Sequence, residues 1–157
     1  MTFKFARAIA LVLFILPVAA HAAGHATEGG VVTIKSAHSV SETIDRLAAA
    51  VEGAGAKVFA RVDHAAGAES VGEALRPTEM LMFGNPKMGT PAMQASQTMG
   101  MDLPLRAVAW EDETGVVHLS YTDPAAIADR HGIPADHPAI AAMTGALGKL
   151  TGKATGE

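Results

Sequence analysis

LMFGNPKMGTPAMQ, residues 81–94, is where three predicted elements meet. The apolar run Thr78–Phe83 that leads into it predicts a strand buried on both faces. Glycine, asparagine and proline predict a loop over Gly84–Gly89. Thr90 followed by Pro91 is typical of a helix N-cap with proline at the first helical position. We therefore expect a strand, a loop and a short helix in succession.

Together with the flanking segments, the predicted strands and helices follow one another in the order β-α-β-β-β-β-α. Alternating and β-branched runs predict four more strands: Val31–Lys35, Lys57–Asp63, Leu105–Trp110 and Val116–Thr122. A capping box at Ser39 begins the first long helix, Asp136 begins the last, and a short helix is predicted over Ala68–Leu75. Since each long helix has one apolar side, we expect an α+β fold, with one antiparallel sheet packed on one face by two long helices.

Several motifs, in this order along the chain, resemble the domain of unknown function 302 family. Besides residues 81–94, the matching stretches are Asp63–Ala68, Leu75–Pro77, Met101–Leu105, Leu119–Pro124 and Arg130–Gly132. The resemblance covers roughly residues 31–150 and is more specific than a single glycine-rich match. It implies a β-α-β4-α fold, in agreement with the predicted order, and a homodimer. It implies no activity, because none is established for the family as a whole.

Composition excludes several classes of function. The 157 residues suit one domain, and we see no linker that would mark a second. The formal net charge is -4, without the basic excess that nucleic-acid binding requires, so we expect no nucleic-acid partner. Because the chain has no cysteine, disulfides, thiolate metal sites, iron–sulfur clusters and a cysteine nucleophile are excluded.

The N-terminus has the pattern of a secretory signal peptide. Lys4 and Arg7 precede an uncharged apolar run, Ala8–Ala20, and Ala20-His21-Ala22 offers small residues to a signal peptidase. The run is shorter than the roughly 20 residues that span a bilayer. We therefore predict a signal peptide over residues 1–22, a flexible leader over 23–30 and a single domain over 31–154. The expected location is the periplasm, with no membrane association after cleavage.

A ligand site is predicted around the Gly84–Gly89 loop. The N–H groups at the start of the following helix favour an anion, and Lys87 adds positive charge. The predicted ligand-binding residues are Asp63, His64, Arg76, Asn85, Lys87 and Thr90. We expect a small anionic ligand there. The alternative is a turn that uses glycine freedom and an asparagine cap for structure alone.

His64 is the best single candidate for acid–base catalysis. Its unperturbed pKa lies near neutrality, and it ends the second predicted strand beside Asp63. Neighbouring residues on a strand point to opposite faces, so the two form no simple dyad unless the chain bends. The alternative role for His64 is a hydrogen bond to a nearby loop. One titratable group does not make an active site, so we expect a binding or accessory protein, with an enzyme as the alternative.

The methionines raise a third hypothesis. Six of the eight lie close together in sequence: Met80, Met82, Met88, Met93, Met99 and Met101. Thioethers in a secreted protein can bind Cu(I), although methionine also fills gaps in ordinary cores. No histidine pair has the spacing of a helical zinc site. We expect no cofactor and assign no metal ligand. Trp110 is expected either at a dimer face or in the core.

Overall fold

The computed structural model of the chain describes residues 25–26 and 29–156. Its six strands form one antiparallel sheet in the order β1-β2-β6-β5-β4-β3. The strands are β1 (His25–Ala26), β2 (Val31–Lys35), β3 (Lys57–Asp63), β4 (Thr78–Gly84), β5 (Leu105–Glu111) and β6 (Val117–Thr122). The helices are α1 (Val40–Gly53), α2 (His64–Glu69), α3 (Pro86–Ala95), α4 (Pro124–Arg130) and α5 (Pro138–Thr155), with a 3₁₀ helix over Gln97–Met101.

The core lies between one face of the sheet and the two long helices, α1 and α5. The most deeply buried sheet residues are Leu81, Phe83, Ala107, Ala109 and Leu119, all at most 2% exposed. The helices meet them with Ile44, Leu47 and Val51 from α1 and Ile140, Met143 and Leu147 from α5. Alternation along a strand places every second side chain here, while 3.6-residue periodicity gives each helix one apolar stripe. The predicted α+β fold, with its sheet packed on one face by two long helices, is confirmed.

The opposite face of the sheet carries the alternate residues. Met80 pairs with Val108, and Thr78 pairs with Trp110. Trp110 is half-buried, stacks on His118 with ring centroids 4.7 Å apart, and donates a 2.9 Å hydrogen bond to the Ser120 hydroxyl. Trp110 therefore lies outside the core between sheet and helices.

The predicted loop over Gly84–Gly89 is wrong, because α3 begins at Pro86. The side chain of Asn85 accepts a 2.9 Å hydrogen bond from the Lys87 N–H and so acts as the N-cap. Asparagine followed by proline is as good a helix start as threonine followed by proline, and it comes first in the chain. The predicted cap at Thr90 therefore lies inside the helix.

The short helix predicted over Ala68–Leu75 is also displaced. The observed helix, α2, follows β3 directly, because the Asp63 carboxylate accepts a 2.9 Å hydrogen bond from the Ala66 N–H. This cap starts the helix at His64, four residues before the predicted start at Ala68. It ends at a turn in which Gly72 has a φ of 82°.

The N-terminal predictions meet the structure only in part. The signal peptide over residues 1–22 lies outside the described residues. Within the predicted leader, the structure pairs His25–Ala26 with Val32 and Thr33 of β2. Over 25–26 and 29–156, no helix is both long and apolar enough to cross a membrane.

Candidate functional site

An apolar pocket lies on the helix side of the sheet, where β4 ends and α3 begins. Its volume is about 230 Å³. The large side chains that line it are Phe59, Phe83, Met88, Met93, Leu103, Leu105, Met143, Leu147 and Leu150. We call this cavity the α3 pocket. Four segments that are distant in sequence build it: the start of β3, the β4–α3 junction, the segment before β5, and the middle of α5. Only the folded chain brings them together.

Asn85 and Thr90 are the two polar side chains in the lining of the α3 pocket. Both the oxygen and the nitrogen of the Asn85 amide have hydrogen-bond partners within the chain. The oxygen caps α3, and Nδ2 donates a 3.2 Å hydrogen bond to the Gly55 carbonyl. The Thr90 hydroxyl makes no hydrogen bond within the described part of the chain. A ligand in this pocket would thus meet mostly apolar surface, with Asn85 and Thr90 as the polar residues of the lining.

Lys87 is the third of the predicted ligand-binding residues, after Asn85 and Thr90, that lies beside the α3 pocket. It lies between Pro86 and Met88, both of which line the α3 pocket, and its side chain is exposed. It forms no ion pair with any other described residue. Asn85, Lys87 and Thr90 therefore lie together at the first turns of α3, as residues of one short segment must.

Asp63 and His64 lie at the far end of the sheet from the α3 pocket. In the β3–β4 register, Lys57 is opposite Gly84 at the pocket, whereas Asp63 is opposite Glu79. Six residues of strand separate the two ends by about 20 Å. His64 is exposed as the first residue of α2, and the Asp63 carboxylate caps that helix. The structure does not bring this pair to the other predicted ligands.

Arg76 also lies away from the α3 pocket. It precedes β4, at the end of the strand opposite Asn85, and its Nε donates a 3.0 Å hydrogen bond to the Glu111 carbonyl. The side chain is exposed and ties the start of β4 to the end of β5. A single site formed by Arg76, Asn85 and Lys87 is therefore not assembled within this chain.

The six clustered methionines separate into different environments. Met88 and Met93 line the α3 pocket together with Met143 from α5. Met99 is fully buried, whereas Met101 is 81% exposed. The remaining two, Met80 and Met82, lie on the outer face of β4. Within residues 25–26 and 29–156, no group of three or more histidine, aspartate or glutamate side chains is placed to hold a metal ion.

A charged network beside the pocket was missed by the sequence reasoning. His131 Nε2 lies 2.8 Å from Asp102 Oδ2, and His131 Nδ1 lies 2.9 Å from the Thr98 hydroxyl. Arg130 and Arg106 approach the other carboxylate oxygen of Asp102, at 3.1 and 3.4 Å. The hydrogen bond to His131 is the main reason that the pKa of Asp102 lies below its usual range.

Through these contacts, Asp102 in the segment before β5 is bonded to Arg130 and His131 at the C-terminal end of α4. Leu103, which follows Asp102, is one wall of the α3 pocket. The sequence did mark both segments of the network. Asp102 lies in Met101–Leu105 and His131 lies in Arg130–Gly132, and both stretches carry the family resemblance. Only the tertiary fold shows that Asp102 and His131 are partners.

Asp112, in the acidic run Glu111–Glu113 at the β5–β6 hairpin, has a structural role. Asp112 accepts 2.9 Å hydrogen bonds from the N–H groups of Thr114 and Val116. Its other oxygen lies 2.8 Å from Nε2 of His118. These contacts, with His118 the largest contribution, hold the pKa of Asp112 well below its usual range. Asp112 shapes a tight turn.

Comparison with known proteins gives a family. The model of the family described as "Domain of unknown function DUF302" matches residues 32–150. The crystal structure of an uncharacterized conserved DUF302 protein from Bacillus stearothermophilus superposes with a TM-score of 0.72 at 18% identity. The match covers 80% of this chain and 98% of that one, so the two share the fold.

Curated relatives carry a different name. The chain is 50% identical over 132 residues to a Brucella suis protein named "Fluoride-specific ion channel FluC 1". It is equally similar to a protein of the same name from Brucella abortus. These alignments cover 83% of this chain but only 52% and 48% of the two relatives. The chain therefore spans about half the length of the curated relatives it matches.

Proposed function

We propose that this chain, which belongs to the DUF302 family of unknown function, binds a small and largely apolar molecule in the α3 pocket. In this proposal it is a secreted accessory protein with no catalysis of its own. Membership of the family specifies no ligand, so the proposal is argued from the chemistry of the pocket itself. Apolar cavities with a few polar groups are the usual form of a small-molecule site.

The observation that carries the proposal is the volume of the α3 pocket together with its apolar lining. At about 230 Å³, the α3 pocket exceeds the roughly 150 Å³ engineered cavity that stays dry and binds benzene. Its walls are methionine, leucine and phenylalanine, which offer an apolar ligand dispersion contacts and relief from water. Methionine adapts to irregular shapes, so Met88, Met93 and Met143 suit a ligand-binding wall.

The test is calorimetric titration of the purified chain with 1-octanol, a neutral probe. We expect saturable one-to-one binding. Ala146 lines the pocket from α5, so Ala146→Leu should fill the cavity and weaken binding about tenfold or more. The matched control is Ala141→Leu, because Ala141 is exposed on the same helix. Absence of binding to the wild-type chain, or equal binding by both variants, would contradict the proposal.

Secretion to the periplasm is the second part of the proposal, supported by the signal-peptide pattern of residues 1–22. The direct measurement is native mass spectrometry of the protein taken from the periplasm of its source cells. We expect a chain that begins at Ala23 and a bound small molecule. A full-length chain retained with the membrane fraction would argue against this location.

A homodimer is the third part, implied by the family resemblance and supported by the outer face of the sheet. Met80, Val108 and Trp110 form an apolar strip there, and Val62 beside them is 37% exposed. Such a strip is typical of an interface between subunits. Light scattering should give a dimer for the wild type and a monomer for Val108→Glu. A wild-type monomer would contradict this part.

A second candidate function comes from the curated relatives. Because the chain is 50% identical to half of proteins named fluoride-specific ion channels, we propose as an alternative that it acts in fluoride handling. The test is growth in fluoride of cells that lack this gene, with and without re-expression of the chain. Fluoride sensitivity that re-expression reverses would support this function, and unchanged growth would oppose it.

A further inference from the structure

The rim of the α3 pocket carries a positive charge from β3. Phe59 lines the pocket and is 48% exposed, which places its ring at the opening. Lys57 Nζ lies 5.4 Å from the centroid of that ring, within the range of a cation–π contact. The ammonium group therefore lies within cation–π distance of one of the residues that line the pocket.

No described residue forms an ion pair that would neutralise this charge. Lys57 makes no ion pair with another described residue, and the same is true of Lys87 beside Pro86 and Met88. The segments that build the pocket are 56–59, 83–93, 100–105 and 143–150. They contain three lysines and one acidic residue, Asp102, whose carboxylate is already bonded to His131 and two arginines. The surroundings of the pocket thus favour a negative charge.

The interior of the pocket excludes that charge. An ionised group moved among Phe83, Leu103 and Leu147 would lose its hydration without gaining compensating hydrogen bonds. A ligand that carries a negative charge must therefore keep its head group at the rim, in water and near Lys57. Only its apolar tail can enter. A pocket somewhat larger than a benzene-binding cavity suits a tail of about six to eight carbons.

We propose that the ligand of the α3 pocket is an anionic amphiphile, with an apolar tail inside and a negatively charged head beside Lys57. This inference rests on the proposed function and specifies its ligand class. A carboxylate, sulfate or phosphate head would satisfy the same chemistry. The rim is exposed, so the charge contributes modestly to affinity, and the tail contributes most of it.

The experiment compares octanoate, 1-octanol and octylammonium by calorimetric titration at pH 7 and low ionic strength. We expect octanoate to lose about two- to fivefold in affinity in Lys57→Gln, while 1-octanol is unaffected. Octylammonium should bind the wild type more weakly than octanoate. The control is Lys35→Gln, because Lys35 lies on β2, four strands from β3, and its loss should leave all three affinities unchanged. Raising the salt concentration should shrink the octanoate effect.

The outcomes separate this inference from the proposed function. If octanoate and 1-octanol both bind but Lys57→Gln weakens neither, or weakens both equally, the anionic class is wrong and apolar binding stands. If none of the three probes binds the wild type, the proposed function fails. If octanoate does bind, a titration with octyl sulfate distinguishes the head groups. Loss of binding relative to octanoate would restrict the ligand class to carboxylates.

Discussion

Asp102 Oδ2 lies 2.8 Å from His131 Nε2, and this contact joins two segments that are 29 residues apart in the chain. The His131 side chain is 8% exposed and that of Asp102 is 19% exposed, so the pair is shielded from water. Through Leu103, it fixes one wall of the α3 pocket.

Asp102→Asn should destabilise the fold in a pH-dependent way. The pKa of Asp102 is lowered in the folded state, mainly by the His131 hydrogen bond, so its stabilisation is complete above the unfolded pKa of about 4. It is lost as the pH falls through the folded value. At pH 7 we expect a loss of about 1–2 kcal/mol in the free energy of unfolding, measured with urea. At pH 3 the difference from wild type should be smaller, and an equal difference at both pH values would contradict this.

The contributions of the two Asn85 side-chain hydrogen bonds to stability can be measured separately. Asn85→Ala removes the cap of α3 and the bond to Gly55, so we expect a loss of about 1–2 kcal/mol by urea denaturation. Asn85→Asp keeps an acceptor for the Lys87 N–H and loses only the donor, so its cost should be smaller. If aspartate costs as much as alanine, the cap is not what makes Asn85 stabilising.

Gly30 and Gly115 both have positive φ, 75° and 80°, but only Gly30 is crowded. A Cβ at Gly30 would lie 2.2 Å from Cβ of Ala126, whereas one at Gly115 meets no atom within 4 Å. Gly115→Ala should cost about 1 kcal/mol of stability from backbone strain alone. Gly30→Ala should cost about 1–3 kcal/mol more, because β2 and α4 must separate. Equal thermal midpoints for the two variants would contradict the close approach.

His64→Ala tests the catalytic and ligand-binding predictions made from sequence. Because His64 is five residues beyond Phe59, and so about 15 Å from the rim of the α3 pocket, we expect the affinity for 1-octanol to change less than about twofold. Its stability should also be nearly unchanged, since the side chain is exposed. A large loss of octanol affinity would place His64 in the site after all.

The class of fold was predictable because it rests on local periodicity. Alternation along Leu105–Glu111 and helical spacing from Val40 to Val51 each encode a buried side that must pack against the other. Helix starts were less certain. Asn85 and Thr90 are both followed by proline, and Asp63 caps a helix whose predicted start was Ala68. Competing caps differ by about 1 kcal/mol or less, so local sequence decides poorly between them.

By itself, the sequence determined the α+β class, the order of its elements, its family resemblance, and that Asn85, Lys87 and Thr90 lie together. These depend on residues that are near one another in the chain. The tertiary structure alone decided that Asp63, His64 and Arg76 lie away from that segment, because strand direction and register carry them to the far end of the sheet. It also decided that Phe59, Leu103 and Met143 enclose an apolar pocket, because packing between distant segments has no local signal.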